Sequence, residues 1–111
     1  MTAELLLDTG ALVSILDRSQ RHHDACVAAY RGWRGPVVST EAVLTESTHL
    51  LMHLPGGAAA CVQFLRAGGA TLVPTSQAAL ARAEELMHKY RDLPMDYADA
   101  SLVVLAEELG A

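Results

Sequence analysis

The chain alternates between short apolar runs and longer stretches in which apolar residues recur at helical spacing. The first run, Leu5-Leu6-Leu7, stands between Glu4 and Asp8, so it is long enough for a buried strand and too short for a core helix. Two further runs, Val37-Val38-Ser39 and Ala70 to Val73, predict strands by the same criterion. The stretches between and after them predict helices, over about 10–17, 19–34, 40–53, 58–67, 76–90 and 96–109.

Strands separated by helices predict an α/β fold, specifically a three-layer α/β/α sandwich around a short parallel sheet with right-handed crossovers. The last predicted helix ends at Gly110, a favourable residue after a helix, where an α/β unit usually continues into another strand. We therefore expect residues 1–111 to form a single domain that lacks one or more C-terminal strands, because it is truncated or because a partner completes its sheet.

Helical wheels predict which faces are buried. In the fifth helix the predicted inward positions are Ala79, Leu80, Ala83, Leu86, Met87 and Tyr90. In the last helix the predicted apolar arc consists of Ala98, Leu102, Val103, Leu105, Ala106 and Leu109. Asp99 falls inside that arc, where an ionised carboxylate costs several kcal/mol unless a cation or hydrogen-bond donors meet it.

Three carboxylates stand at positions where chemistry is expected. Asp8 follows the first strand, and ligands of parallel sheets bind beyond the carboxyl ends of the strands. Glu46 borders the apolar face of the third helix, and Asp99 lies within that of the last. Converging carboxylates repel one another unless a positive group neutralises them, and the sequence offers no obvious buried Lys or Arg. Oxygen ligands of this kind select Mg²⁺ or Mn²⁺.

Each of these acids also has a purely structural interpretation. Asp96 and Asp99 have the spacing of an N-cap and its N3 partner. Asp8 would accept backbone N–H groups of the turn that follows it, and Glu46 would lie half-exposed at a rim. These alternatives stay open at the level of sequence.

Composition narrows the possible partners and compartments. A formal net charge of -5 excludes a broad basic face, so any contact with nucleic acid requires a local cluster such as Arg18, Arg21, Arg31 and Arg34. Two cysteines without a CxxC motif favour reduced thiols in a cytoplasmic protein. No stretch has the character of a signal peptide or of a membrane span.

Three segments together resemble a PIN domain of the VapC-type toxin subfamily: LLLDTGAL at the N-terminus, LTEST about forty residues on, and PMDYADASLVVLAEELG at the end. The resemblance implies a metal-dependent ribonuclease with an α/β/α sandwich, paired with a cognate antitoxin. It implies Asp8, Glu46 and Asp99 as catalytic acids that hold Mg²⁺ or Mn²⁺, Asp96 as a further metal-binding acid, and Thr9 as a supporting residue. Family members continue past this last helix into a strand and a loop with another Asp, which this chain does not contain.

The expected function is therefore metal-dependent endoribonuclease activity in a toxin–antitoxin pair. We expect a homodimer, and an antitoxin helix in an apolar groove near Tyr30 and Trp33. The main alternative is a degenerate PIN domain that acts only as a binding module. A retroviral-type aspartic protease would explain Asp8-Thr9-Gly10, but that fold is almost entirely strand. A phosphoacceptor receiver domain would need a paired acid after the first strand and a Lys late in the chain.

Overall fold

The structure is a computed structural model that describes residues 3–110. Three strands and six helices alternate within this range, which confirms the predicted α/β class. In chain order they are β1 (Leu5–Leu6), α1 (Thr9–Leu16), α2 (His23–Gly32), β2 (Val37–Ser39), α3 (Glu41–Leu50), α4 (Gly57–Arg66), β3 (Thr71–Leu72), α5 (Gln77–Lys89) and α6 (Tyr97–Glu108).

The strands form one parallel sheet in the order β1-β2-β3, as predicted. Leu6 pairs with Val38, and Ser39 pairs with Leu72. Continuing this register by one or two residues places Asp8 beside Thr40 at the carboxyl edge of the sheet. The buried hydroxyl of Ser39 donates a hydrogen bond of 2.7 Å to the carbonyl of Leu7, which fixes the end of β1 against β2.

The helices begin at short polar caps that hold their first turns at defined points. Asp8, Thr40, Ser76 and Asp96 each accept a hydrogen bond from a backbone N–H three residues later, which satisfies a donor that the helix itself leaves unpaired. Two of these caps, Asp8 and Asp96, are also predicted site residues. No helix within the described part of the chain has the length and apolarity to cross a bilayer.

The second helix begins later than predicted, at His23 instead of residue 19. Asp17 is buried, and its carboxylate accepts hydrogen bonds from the backbone N–H and hydroxyl of Ser19 and from the side-chain amide of Gln20. These bonds hold the following residues in turns. His53 lies 3.5 Å from the same carboxylate, so Asp17 also links the end of α1 to the segment after α3.

Asp17 is expected to make the protein sensitive to acid. Hydrogen bonds from Ser19 and Gln20 lower the pKa of Asp17 from 3.8 to about 2. Because the pKa in the folded state is the lower one, this contribution to stability is complete above about pH 4 and is lost as the pH falls through about 2. We expect the stability difference between the wild type and Asp17→Asn, from urea unfolding, to shrink between pH 4 and 2. A constant difference over that window would contradict this role.

Two clusters of buried residues form the core. The larger one joins β1, α1, α3 and α4 through residues such as Leu7, Leu12, Val43 and Leu51. The smaller one lies between α5 and α6 and contains Ala79, Ala83, Leu86, Ala100 and Val104. Cys26 and Cys61 form no disulfide within residues 3–110, and Cys61 is buried.

The predicted buried arc of the last helix is wrong in its rotation. The buried positions of α6 are Ala98, Ala100, Ser101, Val104 and Leu105. Val103 and Leu109 are exposed, and Asp99 is exposed instead of lying among apolar side chains. In α5, Leu80 and Met87 are likewise exposed although they were predicted to face inward. Asp99 therefore needs no buried counter-charge to be tolerated.

The start of α4 requires glycine at position 57. A Cβ atom there would overlap the carbonyl oxygen of Leu51 and stand 3.0 Å from Cβ of Leu54. Since Leu51 is fully buried, its backbone has little room to move. We expect Gly57→Ala to lower the free energy of unfolding by about 1–3 kcal/mol in urea titrations. Gly32→Ala is the matched control, because a Cβ at Gly32 meets nothing within 4 Å. Equal effects of the two substitutions would contradict this packing.

Candidate functional site

Asp8 lies where β1 ends and α1 begins. Its Oδ1 accepts a hydrogen bond of 2.7 Å from the backbone N–H of Ala11, and its side chain is exposed. One carboxylate oxygen is thus used as a helix cap while the other has no protein donor among residues 3–110. The capping interpretation of Asp8 is correct, and it leaves an oxygen available at the carboxyl edge of the sheet.

Glu46 and Asp96 meet where α3 packs beside the start of α6. Both side chains line an open cavity of about 870 Å³. The backbone N–H of Asp99 holds the pKa of Asp96 below its ordinary value, and the hydrogen bond with Glu46 acts in the same direction. Carboxylates that share one cavity repel one another, and a bound cation would offset that repulsion.

Asp99 is joined to Asp96 by a capping box. The backbone N–H of Asp99 donates to Oδ1 of Asp96 at 2.9 Å, and the backbone N–H of Asp96 donates to Oδ2 of Asp99 at 3.3 Å. Asp99 is not among the residues that line the cavity. Asp96 and Asp99 therefore do form the helix cap that their spacing predicts, and Asp96 also shares the cavity with Glu46.

The acids are paired, but they are not gathered into a complete cage. Among residues 3–110, no three His, Cys, Asp or Glu side chains approach closely enough to hold a metal ion together. The residues that are present nevertheless fit the chemistry of Mg²⁺, which commonly binds through one or two carboxylates and takes its other ligands from water and substrate phosphate. Among residues 3–110, no Lys or Arg lines the cavity, and His49 is the one basic side chain in its lining.

The remaining predicted residues lie away from this pair. Thr9 is the first residue of α1 and is half-buried. The four arginines, Arg18, Arg21, Arg31 and Arg34, are all exposed. Arg18 and Arg31 line a second cavity, of about 350 Å³, whose apolar wall includes Ile15, Val27, Tyr30 and Phe64.

Of the two aromatic residues expected beside an antitoxin groove, Tyr30 lines this second cavity and Trp33 does not, and both have internal partners. The hydroxyl of Tyr30 donates to the carbonyl of Gly69 at 2.6 Å, and its ring packs against Phe64 with centroids 5.5 Å apart. Trp33 donates from Nε1 to the carbonyl of Pro36 at 2.9 Å. Tyr30 is thus a fixed part of the wall of that cavity.

Several residues at the site have no distinctive signal in the sequence. Thr40 and Ser101 are buried, and their hydroxyls form a 2.8 Å hydrogen bond that joins the end of β2 to α6. His49 and Tyr97 line the acidic cavity with Glu46 and Asp96. The only available clue is position, since His49 is one helical turn from Glu46 and Tyr97 follows Asp96.

Fold and site together define an α/β domain with an acidic cavity beside the carboxyl edge of a parallel sheet. The family model of the PIN domain matches residues 5–111, and the chain belongs to the PIN domain family. The predicted PIN-like fold is therefore confirmed.

Among solved structures, the chain is similar to VapC20 of Mycobacterium tuberculosis, described as a toxin that cleaves the sarcin–ricin loop. The TM-score is 0.87 at 14% sequence identity, and the match covers 97% of this chain and 84% of VapC20. At that identity the likeness concerns the fold. No curated protein sequence matches the chain.

Proposed function

We propose that this protein is an endoribonuclease of the VapC type that hydrolyses RNA phosphodiester bonds with Mg²⁺ or Mn²⁺. The observation that carries the proposal is the contact between Glu46 and Asp96 in an open cavity that no Lys or Arg lines. Membership of the PIN family and the likeness to VapC20 support it.

The chain's own acids would hold the cation and orient the substrate. Glu46 and Asp96 would bind it directly, Asp8 and Asp99 would contribute through water molecules in its coordination shell, and Thr9 would support Asp8. A divalent cation, when bound, lowers the pKa of a water and stabilises charge on phosphoryl oxygens. No Ser, Cys or His nucleophile is needed.

The distribution of charge supports contact with RNA at a separate surface. Arg18, Arg21, Arg31 and Arg34 lie within seventeen residues that contain a single acid, Asp24, although the whole chain carries a net charge of -5. Their exposed guanidinium groups would bind RNA phosphates outside the acidic cavity, where repulsion is weaker.

The proposal includes partners and a compartment. A VapC-type toxin would be inhibited by a cognate antitoxin in the cytoplasm. The cavity beside Tyr30 and Phe64, with Arg18 at its edge, would receive an antitoxin helix that carries apolar and acidic side chains. We also propose a homodimer.

A second function is favoured by one observation. Because no third ligating side chain joins Glu46 and Asp96 within residues 3–110, a degenerate domain that binds RNA or protein without cleavage is the alternative.

Incubation with RNA separates the two functions. We expect the purified protein to cut RNA in Mg²⁺ or Mn²⁺ and to stop when EDTA is added. Since water is the proposed nucleophile, a 2′-deoxy substitution at the cut position should leave cleavage intact and no 2′,3′-cyclic phosphate should form. Binding without cleavage would favour the alternative, and cyclic phosphate products would contradict the proposed chemistry.

A further inference from the structure

The acidic cavity continues into a second, more apolar one. The cavity of about 870 Å³ that holds Glu46 and Asp96 shares Leu80 and Tyr97 with a neighbouring cavity of about 360 Å³. We call the two together the Tyr97 groove. Its far wall is formed by α5 and includes Met87 and Ala83. Each of the two volumes is in the range that accommodates small ligands.

The two ends of the groove differ in chemistry. Glu41, Glu46, Asp96 and His49 line the first end. The other end presents Met87, 36% exposed, beside Ala83 and His88, and Leu80, 42% exposed, lies between the two. Neither cavity is lined by a Lys or Arg among the residues described, and Glu84 adds another acid. A run of phosphates along the groove would be repelled, so at most the phosphate held at the metal-binding acids can approach it.

Tyr97 is held rigidly at the junction of the two cavities. It is the first residue of α6, directly after Asp96, and its ring packs against the buried cluster between α5 and α6. Within residues 3–110 its hydroxyl makes no hydrogen bond to the protein, so a donor and acceptor remain free. A fixed, half-buried aromatic ring next to apolar side chains is the kind of surface on which an unpaired base stacks.

We propose that the Tyr97 groove binds the nucleobase of one nucleotide next to the scissile phosphate, with Tyr97 and Leu80 as its specificity-determining contacts. This inference rests on the proposed function, because it takes RNA as the ligand and places the phosphate at Glu46 and Asp96. The base occupies the apolar end while the phosphate remains at the acidic end. Tyr97 acts through stacking and takes no part in the hydrolysis itself.

Abasic substrates test this role. An abasic residue on one side of the mapped cleavage site should lower kcat/KM of the wild type by about 5- to 100-fold, the range of base–aromatic stacking. Tyr97→Leu keeps an apolar side chain in the core, and its kcat/KM on intact RNA should fall by a similar factor. On the abasic RNA the same substitution should lower kcat/KM little further, because the abasic residue and the substitution remove the same interaction. Tyr97→Phe should keep the effect of the base, because it retains the ring.

Controls separate stacking from folding. Val62→Ala changes an exposed apolar residue outside the groove and should leave kcat/KM unchanged. If Tyr97→Leu unfolds, Leu80→Ala is the second variant, because a side chain that is 42% exposed can be shortened without loss of the fold. Two results would overturn the proposal and leave the ribonuclease function intact. In the first, the losses of kcat/KM from the abasic residue and from the substitution multiply, and in the second, the abasic residue causes no loss.

Binding without cleavage provides an independent readout. Single-stranded RNA containing 2-aminopurine should show quenched fluorescence on binding the wild type with Ca²⁺ in place of Mg²⁺, since a hard cation still neutralises the acids. The quenching should disappear in Tyr97→Leu and persist in Tyr97→Phe. If the wild type quenches but never cuts, the proposed function fails and the base site stands. If it does not quench, the base site is wrong whatever the activity.

Discussion

Replacing Glu46 by glutamine is expected to lower kcat/KM for metal-dependent RNA cleavage by about 10²- to 10³-fold, equivalent to about 3–4 kcal/mol of lost transition-state stabilisation. Glutamine keeps the size of the side chain but removes the charge that, with Asp96, attracts a divalent cation. Since Glu46 is only half-buried, the fold should tolerate the change. Single-turnover cleavage of a labelled RNA, with thermal unfolding of the same preparation, measures both effects.

Asp92→Asn is the matched control for this substitution. Asp92 is exposed in the turn before α6. Its replacement by asparagine removes the same unit of charge at a position outside the cavity. It should leave kcat/KM within about 2-fold of the wild type, as surface substitutions usually do. A Glu46→Gln protein that cuts as fast as Asp92→Asn would show that Glu46 does not support the reaction.

Asp99→Asn is expected to separate the role of Asp99 in capping α6 from its proposed role in binding the cation. An asparagine oxygen can still accept the hydrogen bond from the backbone N–H of Asp96, so the capping box and most of the stability should remain. The negative charge is lost, and we expect RNA cleavage to fall by about 10²-fold if that charge contributes to metal binding. The unfolding free energy should change by less than about 1 kcal/mol.

Asp99→Ala completes this comparison because it removes both the charge and the capping oxygen. It should lose activity as Asp99→Asn does and lose additional stability, by about 0.5–2 kcal/mol. Full activity in Asp99→Asn would mean that Asp99 serves the helix alone. The catalytic acids would then be those that the structure already pairs, Glu46 and Asp96.

The sheet and the position of Asp8 could be predicted from the sequence because they depend on local signals. Short apolar runs with polar ends define strands, and strands separated by helices must be parallel, so Asp8 had to lie at the carboxyl edge. The N-cap at Asp96 could be recognised for a similar reason, since capping depends only on neighbours in the chain.

The orientation of α6 could not be predicted because its apolar residues surround nearly the whole helix. Ala100, Val104 and Leu105 are buried, whereas Val103, on the predicted face, is exposed. The choice between these faces is made by packing against α5 and by the hydrogen bond between Thr40 and Ser101, two tertiary contacts that the pattern of α6 itself does not contain. The late start of α2 has a similar cause, because the buried carboxylate of Asp17 holds the preceding turn.

The meeting of Glu46 and Asp96 in one cavity also could not be predicted from the sequence. It depends on how α3 packs against the start of α6, and the sequence pointed to Asp99 as the buried acid instead. The resemblance to PIN domains identified all four acids, but only the packing of the helices determined which two of them meet.

Calorimetric titration with Mn²⁺ tests the central claim most directly, because it measures the cation site without relying on RNA or on turnover. We predict saturable binding to the wild type, unchanged in Asp92→Asn and weakened by at least about 10-fold in Glu46→Gln and in Asp96→Asn. No saturable binding to the wild type, or equal affinity in Glu46→Gln, would contradict a metal site built on these acids.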